Sequence, residues 1–198
     1  MLLPDPLQIT RRIAEVFEFL QIPYLVGGSL AGSLHGIPRS TQDAHIVADM
    51  KPIHIEPYVK ALESEFYVDA EMIREAVNKC SSFNVIHLET MFKVDVFLLG
   101  EDEVSQEEMA RRKRFQVSEE PGGELFLASA EDVILQKLHW FRLGKGVSER
   151  QWNDVLGVLQ VQGKSLDFSY LRRCAETMGI SALLEQALDE AGIAESGG

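Results

Sequence analysis

The sequence predicts an α+β (α/β) fold: a mixed sheet flanked by helices, followed by a C-terminal helical segment. Up to about residue 127, short apolar runs that suit strands alternate with segments whose apolar residues recur at helical spacing. From residue 129 onward the spacing is helical throughout, with capping residues at Ser129, Ser148 and Asp167. We therefore expect an α/β core at residues 1–127, a helical segment packed on it at residues 128–193, and a disordered tail at residues 194–198.

Each element is predicted from its periodicity and from the turn and capping residues that bound it. Ser29 is the expected N-cap of the second helix, and Gly36 is its expected end. The predicted strands are residues 22–26, 43–49, 82–89 and 92–100, the last one central, with two short extended pieces around the Pro-Gly-Gly turn in residues 119–129. The predicted helices are residues 6–21, 29–36, 54–66, 69–80, 103–115, 129–144, 148–163, 167–179 and 181–192.

The composition is that of a globular protein, since 45% of the 198 residues are hydrophobic and 25% are charged. The formal net charge is −12, so we expect no non-specific DNA binding. No apolar run approaches the ~20 residues of a membrane span, and the N-terminus lacks the basic region of a signal peptide. Cys80 and Cys174 fit no metal-binding or redox motif. We therefore predict a cytoplasmic protein with no membrane contact.

A glycine turn joins the first predicted strand to the second predicted helix. Gly27 and Gly28 let backbone N–H groups approach a ligand closely, and the N-terminus of the following helix favours anions. Ser29 adds a hydroxyl group. Such turns are also common connections between strands and helices, so the turn points to a phosphate site only in combination with other features.

Two later strands carry polar side chains that need an explanation. Asp43 and His45 are two residues apart, so alternation along a strand places them on one face. A pair of carboxylates at this spacing could hold divalent cations; the structural alternative is a strand-edge aspartate beside a half-buried histidine. Asp95 is flanked by apolar residues, and burying it unpaired is costly. It needs a metal, a cation such as Lys93 on the same face, or several hydrogen-bond donors.

Taken in order, these features resemble the nucleotidyltransferase superfamily, in particular the small bacterial nucleotidyltransferases related to AbiEii-type toxins. That family has a Gly-Gly/Ser turn, Asp-x-Asp on the next strand and a third Asp on a later strand. The corresponding residues here are Gly27-Gly28-Ser29, Asp43-Ala44-His45 and Asp95. Further matches are the lead-in Arg39-x-Thr41-x-Asp43 and the later Glu131, Asp132 and Lys137. The resemblance spans roughly residues 5–175.

The resemblance implies an enzyme that transfers a nucleotidyl group from a nucleoside triphosphate to a hydroxyl group of a protein, an RNA or a small molecule. It implies three catalytic residues that also hold Mg²⁺ (or Mn²⁺): Asp43, His45 and Asp95. It implies nucleotide binding by Gly27, Gly28, Ser29, Arg39, Thr41 and Lys137.

His45 departs from the family pattern, which has a second carboxylate at this position. Imidazole suits Mn²⁺, Zn²⁺ or Fe²⁺ better than Mg²⁺, and its presence removes one negative charge. We therefore expect weaker Mg²⁺ binding and slower chemistry. The alternative is a catalytically inactive module that keeps the fold and binds a nucleotide or a partner, for example as a component of a toxin–antitoxin pair.

Two sets of basic residues can be explained either by a ligand contact or, more simply, by exposure to solvent. The run Arg111–Arg114 falls late in a predicted helix that opens with acidic residues, which suits a solvated face; a phosphate or RNA contact is the alternative. Lys137 lies on a predicted amphipathic helix, so an exposed lysine is the alternative to a triphosphate contact.

Overall fold

In a computed structural model of the chain, residues 5–117 and 123–193 are described. The predicted tail at 194–198 and the first extended piece before the Pro-Gly-Gly turn lie outside these residues. The helices are α1 (Pro6–Phe19), α2 (Gly28–His35), α3 (Ile55–Leu62), α4 (Ala70–Lys79), α5 (Glu103–Arg111), α6 (Ala130–Leu143), α7 (Glu149–Gln162), α8 (Phe168–Thr177) and α9 (Ser181–Glu190). The strands are β1 (Tyr24–Gly27), β2 (Asp43–Ala48), β3 (Phe66–Tyr67), β4 (Ser82–His87), β5 (Lys93–Leu98), β6 (Lys113–Gln116) and β7 (Glu124–Leu127).

The described strands form one seven-stranded sheet in the order β3-β4-β5-β2-β1-β7-β6. Strand β2 is antiparallel to β1 and parallel to β5, and β5 is antiparallel to β4. Strand β1 is also parallel to β7. The sheet is therefore mixed, as predicted, and β5 lies inside it with a neighbour on each side. The predicted α+β fold class is confirmed.

The described residues divide into two compact units. One unit comprises the chain up to Leu30 together with Ser40–Ala128, and it contains the whole sheet. The other comprises Ala31–Arg39 and the chain from Ser129 onward, with helices α6 to α9. Helix α2 begins in the first unit and ends in the second. The domain boundaries expected from the sequence remain predictions.

In the sheet unit, alternation along the strands separates a core face from a polar face. Ala44, Ile46 and Ala48 of β2 are fully buried, whereas the residues between them are partly exposed. On the core side Phe17 stacks on Tyr24 and Tyr58, with ring centroids 5.7 and 5.1 Å apart. The Tyr58 hydroxyl is buried and has no hydrogen-bond partner among the described residues.

In the helical unit, the predicted caps are confirmed. The side chains of Ser129, Ser148 and Asp167 accept backbone N–H bonds at the starts of α6, α7 and α8. Asp132, which is only 2% exposed, accepts hydrogen bonds from the hydroxyls of Ser129 and Tyr170, both at 2.5 Å. This buried carboxylate therefore ties the start of α6 to α8.

Several element boundaries differ from the predicted ones, and three of the differences change a strand or a predicted cap. Helix α5 ends at Arg111, and Lys113–Gln116 form strand β6 beside β7 instead of continuing the helix. The Arg114 guanidinium covers the Phe126 ring at 4.7 Å, a contact that local periodicity cannot reveal. Helix α3 ends at Leu62, because Phe66–Tyr67 pair with β4.

The third difference concerns Ser29, the predicted N-cap of the second helix. Helix α2 begins one residue earlier, at Gly28, so Ser29 lies in its first turn. Among the described residues, no helix combines the length and the apolar character needed to cross a membrane.

The unpartnered Tyr58 hydroxyl yields a stability prediction. Tyr58→Phe should raise the free energy of unfolding by about 1 kcal/mol, because it removes a buried polar group that gains no hydrogen bond on folding. Tyr170→Phe is the matched control. It should lower the free energy of unfolding by about 1–3 kcal/mol, because Asp132 loses a donor. Chemical denaturation of both variants measures these changes, and a destabilised Tyr58→Phe would contradict the first.

Candidate active site

The polar face of β2 and β5 carries the predicted catalytic side chains. The parallel register of the two strands places Asp43 opposite Lys93 and His45 opposite Asp95. All four lie on the face opposite the buried Ala44 and Ile46 and are partly exposed, as alternation requires. Asp95 is thus less enclosed than its apolar neighbours suggest, with 19% of its side chain exposed.

The predicted catalytic residues converge on one point. The His45 Nε2 atom lies 3.8 Å from Asp43 Oδ2 and 3.8 Å from Asp95 Oδ2. One ligand atom from each of the three side chains lies within 4.8 Å of the others. Thr41 supports this cluster from the loop before β2, since its hydroxyl donates to the Asp43 carbonyl at 2.8 Å and lies 3.3 Å from Asp43 Oδ1.

Gly28 contacts the back of the His45 ring. It has a φ of +60°, and a Cβ atom there would lie 2.8 Å from His45 Nδ1. Gly27 faces His45 in the β1–β2 register. On another side of the imidazole the Phe97 ring lies edge-on at 5.5 Å. The glycine turn therefore sets the position of His45, a consequence that sequence reasoning about phosphate binding did not foresee.

Lys93 lies beside the cluster and pairs with one of its carboxylates. Its Nζ atom donates to Asp95 Oδ2 at 2.8 Å, and this hydrogen bond, with the charges of Asp95 and Asp43, raises the pKa of the Lys93 ammonium group despite some burial. The ion pair between Lys93 and Asp95 is therefore present, and it is one of the predicted ways to compensate the charge of Asp95. It does not displace the metal explanation, because Asp43 and His45 face the same carboxylate.

The donor set fits a divalent cation. Two carboxylate oxygens and one imidazole nitrogen are close enough to share one ion, and all three groups are partly open to solvent. Mg²⁺ prefers an all-oxygen shell, whereas Mn²⁺, Zn²⁺ and Fe²⁺ accept imidazole readily. Asp43, His45 and Asp95 are the residues that would hold such an ion.

Arg39 and Lys137, two of the predicted nucleotide-binding residues, meet in the helical unit at Asp154. Arg39 donates to both carboxylate oxygens of Asp154, at 2.7 and 2.6 Å. The Lys137 ammonium group donates to Asp154 Oδ2 at 2.7 Å and to Gln151 at 3.4 Å. Lys137 is 3% exposed, so the alternative of a solvated lysine is wrong. A Cβ atom on Gly32 would lie 3.0 Å from Lys137 Cε, so the lysine stem packs against α2.

Burial and ion pairing have opposite effects on the pKa values of Lys137 and Asp154. Burial lowers the pKa of Lys137, and the bond to Asp154 offsets only part of that effect. Burial also acts to raise the pKa of Asp154, but hydrogen bonds from Arg39 and Lys137 outweigh it and the pKa is lowered. Asp154 was not predicted from the sequence. The available signal was its position on α7 next to the buried Val155, where an acidic residue needs cationic partners.

Three solved structures resemble the chain over most of its length. The antibiotic-resistance factor ANT(2'')-Ia in solution is 13% identical, with a TM-score of 0.58 over 93% of this chain and 97% of the other. Its crystal form with adenylyl-2''-tobramycin is 12% identical, with a TM-score of 0.54 over 87% and 95%. An antigenic nucleotidyltransferase-like protein from Paracoccidioides brasiliensis is 14% identical, with a TM-score of 0.53 over 92% and 91%.

The chain has the nucleotidyltransferase fold. The resemblance stated from the sequence motifs is therefore confirmed for the superfamily's fold, whereas the AbiEii-related branch stays a prediction. No protein-family model matches the sequence, and no significant match to a curated protein was found. At these identities the likeness concerns the fold alone, so activity has to be argued from the site.

The contact between Gly28 and His45 yields the second prediction. Gly28→Ala should lower the free energy of unfolding by about 1–3 kcal/mol, because the new Cβ meets the imidazole and the backbone has positive φ. Gly27→Ala is the matched control. The nearest atom to a Cβ there is Leu25 Cδ1 at 3.9 Å, so we expect a much smaller change. Thermal unfolding measures both, and equal effects would contradict the steric explanation.

The Asp154 cluster yields the third prediction. Asp154→Asn should lower the free energy of unfolding by about 3–5 kcal/mol at neutral pH, because Lys137 remains buried without a counter-ion. Adding Lys137→Met to Asp154→Asn should recover part of the loss. Glu149→Gln, an exposed change on the same helix, serves as the control.

The pH dependence of this effect has a defined sign. The pKa of Asp154 is lower in the folded state than in the unfolded state, so its contribution is complete above the unfolded pKa and disappears as the pH falls through the folded pKa. Denaturation curves of wild type and Asp154→Asn should therefore converge below about pH 4. A difference that stays constant down to pH 2 would contradict this.

Proposed function

We propose that this protein is a metal-dependent nucleotidyltransferase, which transfers a nucleotidyl group from a nucleoside triphosphate to a hydroxyl group of an acceptor. The observation that carries the proposal is the convergence of Asp43, His45 and Asp95 on the polar face of β2 and β5. The nucleotidyltransferase fold of the chain supports it. A purely structural role would not require three side chains with metal-ligating atoms to share one point.

The chain's own residues have separable roles in this proposal. The glycine turn and Ser29 at the start of α2 would bind phosphate oxygens, since backbone N–H groups at a helix N-terminus favour anions. Asp43 and Asp95 would provide anionic oxygens, and Thr41 would hold Asp43 in place through its hydroxyl. His45 would provide an uncharged nitrogen donor.

When bound at this cluster, a divalent ion would supply electrostatic stabilisation of the attacking oxygen and of the leaving pyrophosphate. Arg39 and Lys137 are the remaining predicted triphosphate contacts. Both donate to Asp154, so one carboxylate serves two cations and the trio keeps a net positive charge. Because Lys137 is buried, we propose that its role within the helical unit is to hold Asp154 in position for Arg39. Nucleotide binding by Arg39 and Lys137 stays a prediction from the sequence.

The acceptor class is an open part of the proposal and includes proteins, RNA and small molecules. The likeness to ANT(2'')-Ia, whose crystal form holds adenylyl-2''-tobramycin, supports starting with the hydroxyls of small molecules. An acidic chain with net charge −12 makes a long nucleic-acid acceptor less favourable, since it repels phosphates outside any local basic site.

A second candidate is a catalytically inactive nucleotide-binding module, for example a component of a toxin–antitoxin pair. The ion pair between Lys93 and Asp95, together with histidine in place of a second carboxylate, favours it. Such a site carries too little negative charge for two Mg²⁺ ions. Binding of a nucleotide without turnover under any divalent cation would support this candidate over the enzyme.

Labelled nucleoside triphosphates test the enzyme proposal. With Mg²⁺ or Mn²⁺ and a panel of hydroxyl acceptors, wild type should transfer label. Asp95→Asn and Asp43→Asn should each lower the rate by about 10²-fold or more, because an anionic oxygen at the developing charge is lost. Asp49→Asn is the control, since Asp49 follows the opposite end of β2 and pairs with Lys51. Transfer that survives Asp95→Asn would contradict the assigned site.

A further inference from the structure

We infer that the cluster of Asp43, His45 and Asp95 takes a single transition-metal dication such as Mn²⁺, Co²⁺ or Zn²⁺ in preference to Mg²⁺, and that Lys93 competes with that ion for Asp95. The inference depends on the proposed function for the location of the site, but it concerns the metal alone.

The first step is the orientation of His45. Gly28 contacts the ring on its Nδ1 side, where a Cβ atom would lie at 2.8 Å. The Nε2 atom points towards the two carboxylates, 3.8 Å from one oxygen of each. The imidazole is thus held with a nitrogen directed at the point where the oxygens converge. A nitrogen donor in this position favours Mn²⁺, Co²⁺ and Zn²⁺ over Mg²⁺.

The second step is the charge of the cluster. Asp43 and Asp95 each contribute one negative charge, and Lys93 contributes one positive charge beside Asp95. His45 contributes none when it ligates a metal, because the ligand is the neutral imidazole. The net charge is therefore only −1, whereas two dications bring +4. One ion can be accommodated with modest residual charge, but a second would meet strong electrostatic repulsion.

The third step is competition for one oxygen. Asp95 Oδ2 is both the atom that accepts from Lys93 at 2.8 Å and the Asp95 atom that lies 3.8 Å from His45 Nε2. An ion held between His45 and this oxygen would lie close to the Lys93 ammonium group. The Lys93 side chain is 45% exposed, so it can turn into solvent at small cost. Lys93 thus neutralises Asp95 in the metal-free protein and weakens metal binding.

Calorimetric titration of the tag-free full chain with each metal alone tests the selectivity. Wild type should bind one Mn²⁺ per chain at least roughly tenfold more tightly than Mg²⁺. His45→Asp should narrow or reverse this preference by raising Mg²⁺ affinity roughly tenfold. His54→Asp, on the short 3-10 helix Pro52–His54, makes the same chemical change away from the cluster and should leave both affinities unchanged.

Lys93→Met tests the competition. It should raise Mn²⁺ affinity about two- to fivefold, the worth of a partly exposed ion pair. Lys113→Met removes an equal charge from the edge strand β6 and should have no effect. The visible absorption band of bound Co²⁺ gives a readout independent of turnover. It should be lost or shifted in His45→Ala and His45→Gln, but not in Cys80→Ser, which removes the exposed thiol. Circular dichroism confirms that each variant is folded.

Equal affinity for Mg²⁺ and Mn²⁺, two ions per chain, or a Co²⁺ spectrum unchanged in folded His45→Ala and His45→Gln would overturn the inference. So would the absence of binding by every metal. These outcomes are separate from failure of the proposed function. A His45-dependent Co²⁺ spectrum without nucleotide transfer would support the metal inference and contradict the proposed enzymatic function. Nucleotide transfer with two Mg²⁺ ions bound would support the enzymatic function and contradict the metal inference.

Discussion

The parallel pairing of β2 with β5 is the constraint on which the candidate site depends. Its register places His45 beside Asp95 and Asp43 beside Lys93, while Ala44 and Val94 pack into the core from the opposite face. A shift of the strand register by one residue would move every side chain of that strand to the opposite face of the sheet. The charged side chains would then be buried and the apolar ones exposed. Hydrophobic burial on one face therefore holds the polar cluster on the other.

The glycine turn acts on this site in two ways. Its backbone begins α2, which is the end of a helix where anions are favoured, and its lack of a side chain leaves room for the His45 ring. A carboxylate at residue 45 would need less room on that side than an imidazole does. The close approach of Gly28 and His45 is consistent with a histidine that is fitted into the turn and has a defined orientation, and it argues against an exposed ring that turns freely.

Cations neutralise carboxylates in both units, but with different consequences. In the helical unit Asp154 accepts from Arg39 and from the almost fully buried Lys137, so the three charges are enclosed and each depends on the others. In the sheet unit Lys93 is nearly half exposed, and its bond to Asp95 can exchange with solvent or with another cation. The first arrangement suits stability, whereas the second leaves a carboxylate available for binding.

The sequence by itself determined the fold class, most element positions, the helix caps at Ser129, Ser148 and Asp167, and the face shared by Asp43 and His45, because these follow from periodicity and capping within a few residues. It did not determine β6. The basic run in residues 111–114 favoured a longer helix, whereas β6 forms by pairing with β7, which local patterns do not reveal. The pairing of Lys93 with Asp95, two residues apart on β5, was one of the alternatives that strand alternation offered. Only the tertiary structure decided that Gly28 contacts His45 and that Asp154 joins Arg39 to Lys137. Those two contacts connect elements whose proximity depends on sheet order and helix packing, which local patterns do not encode.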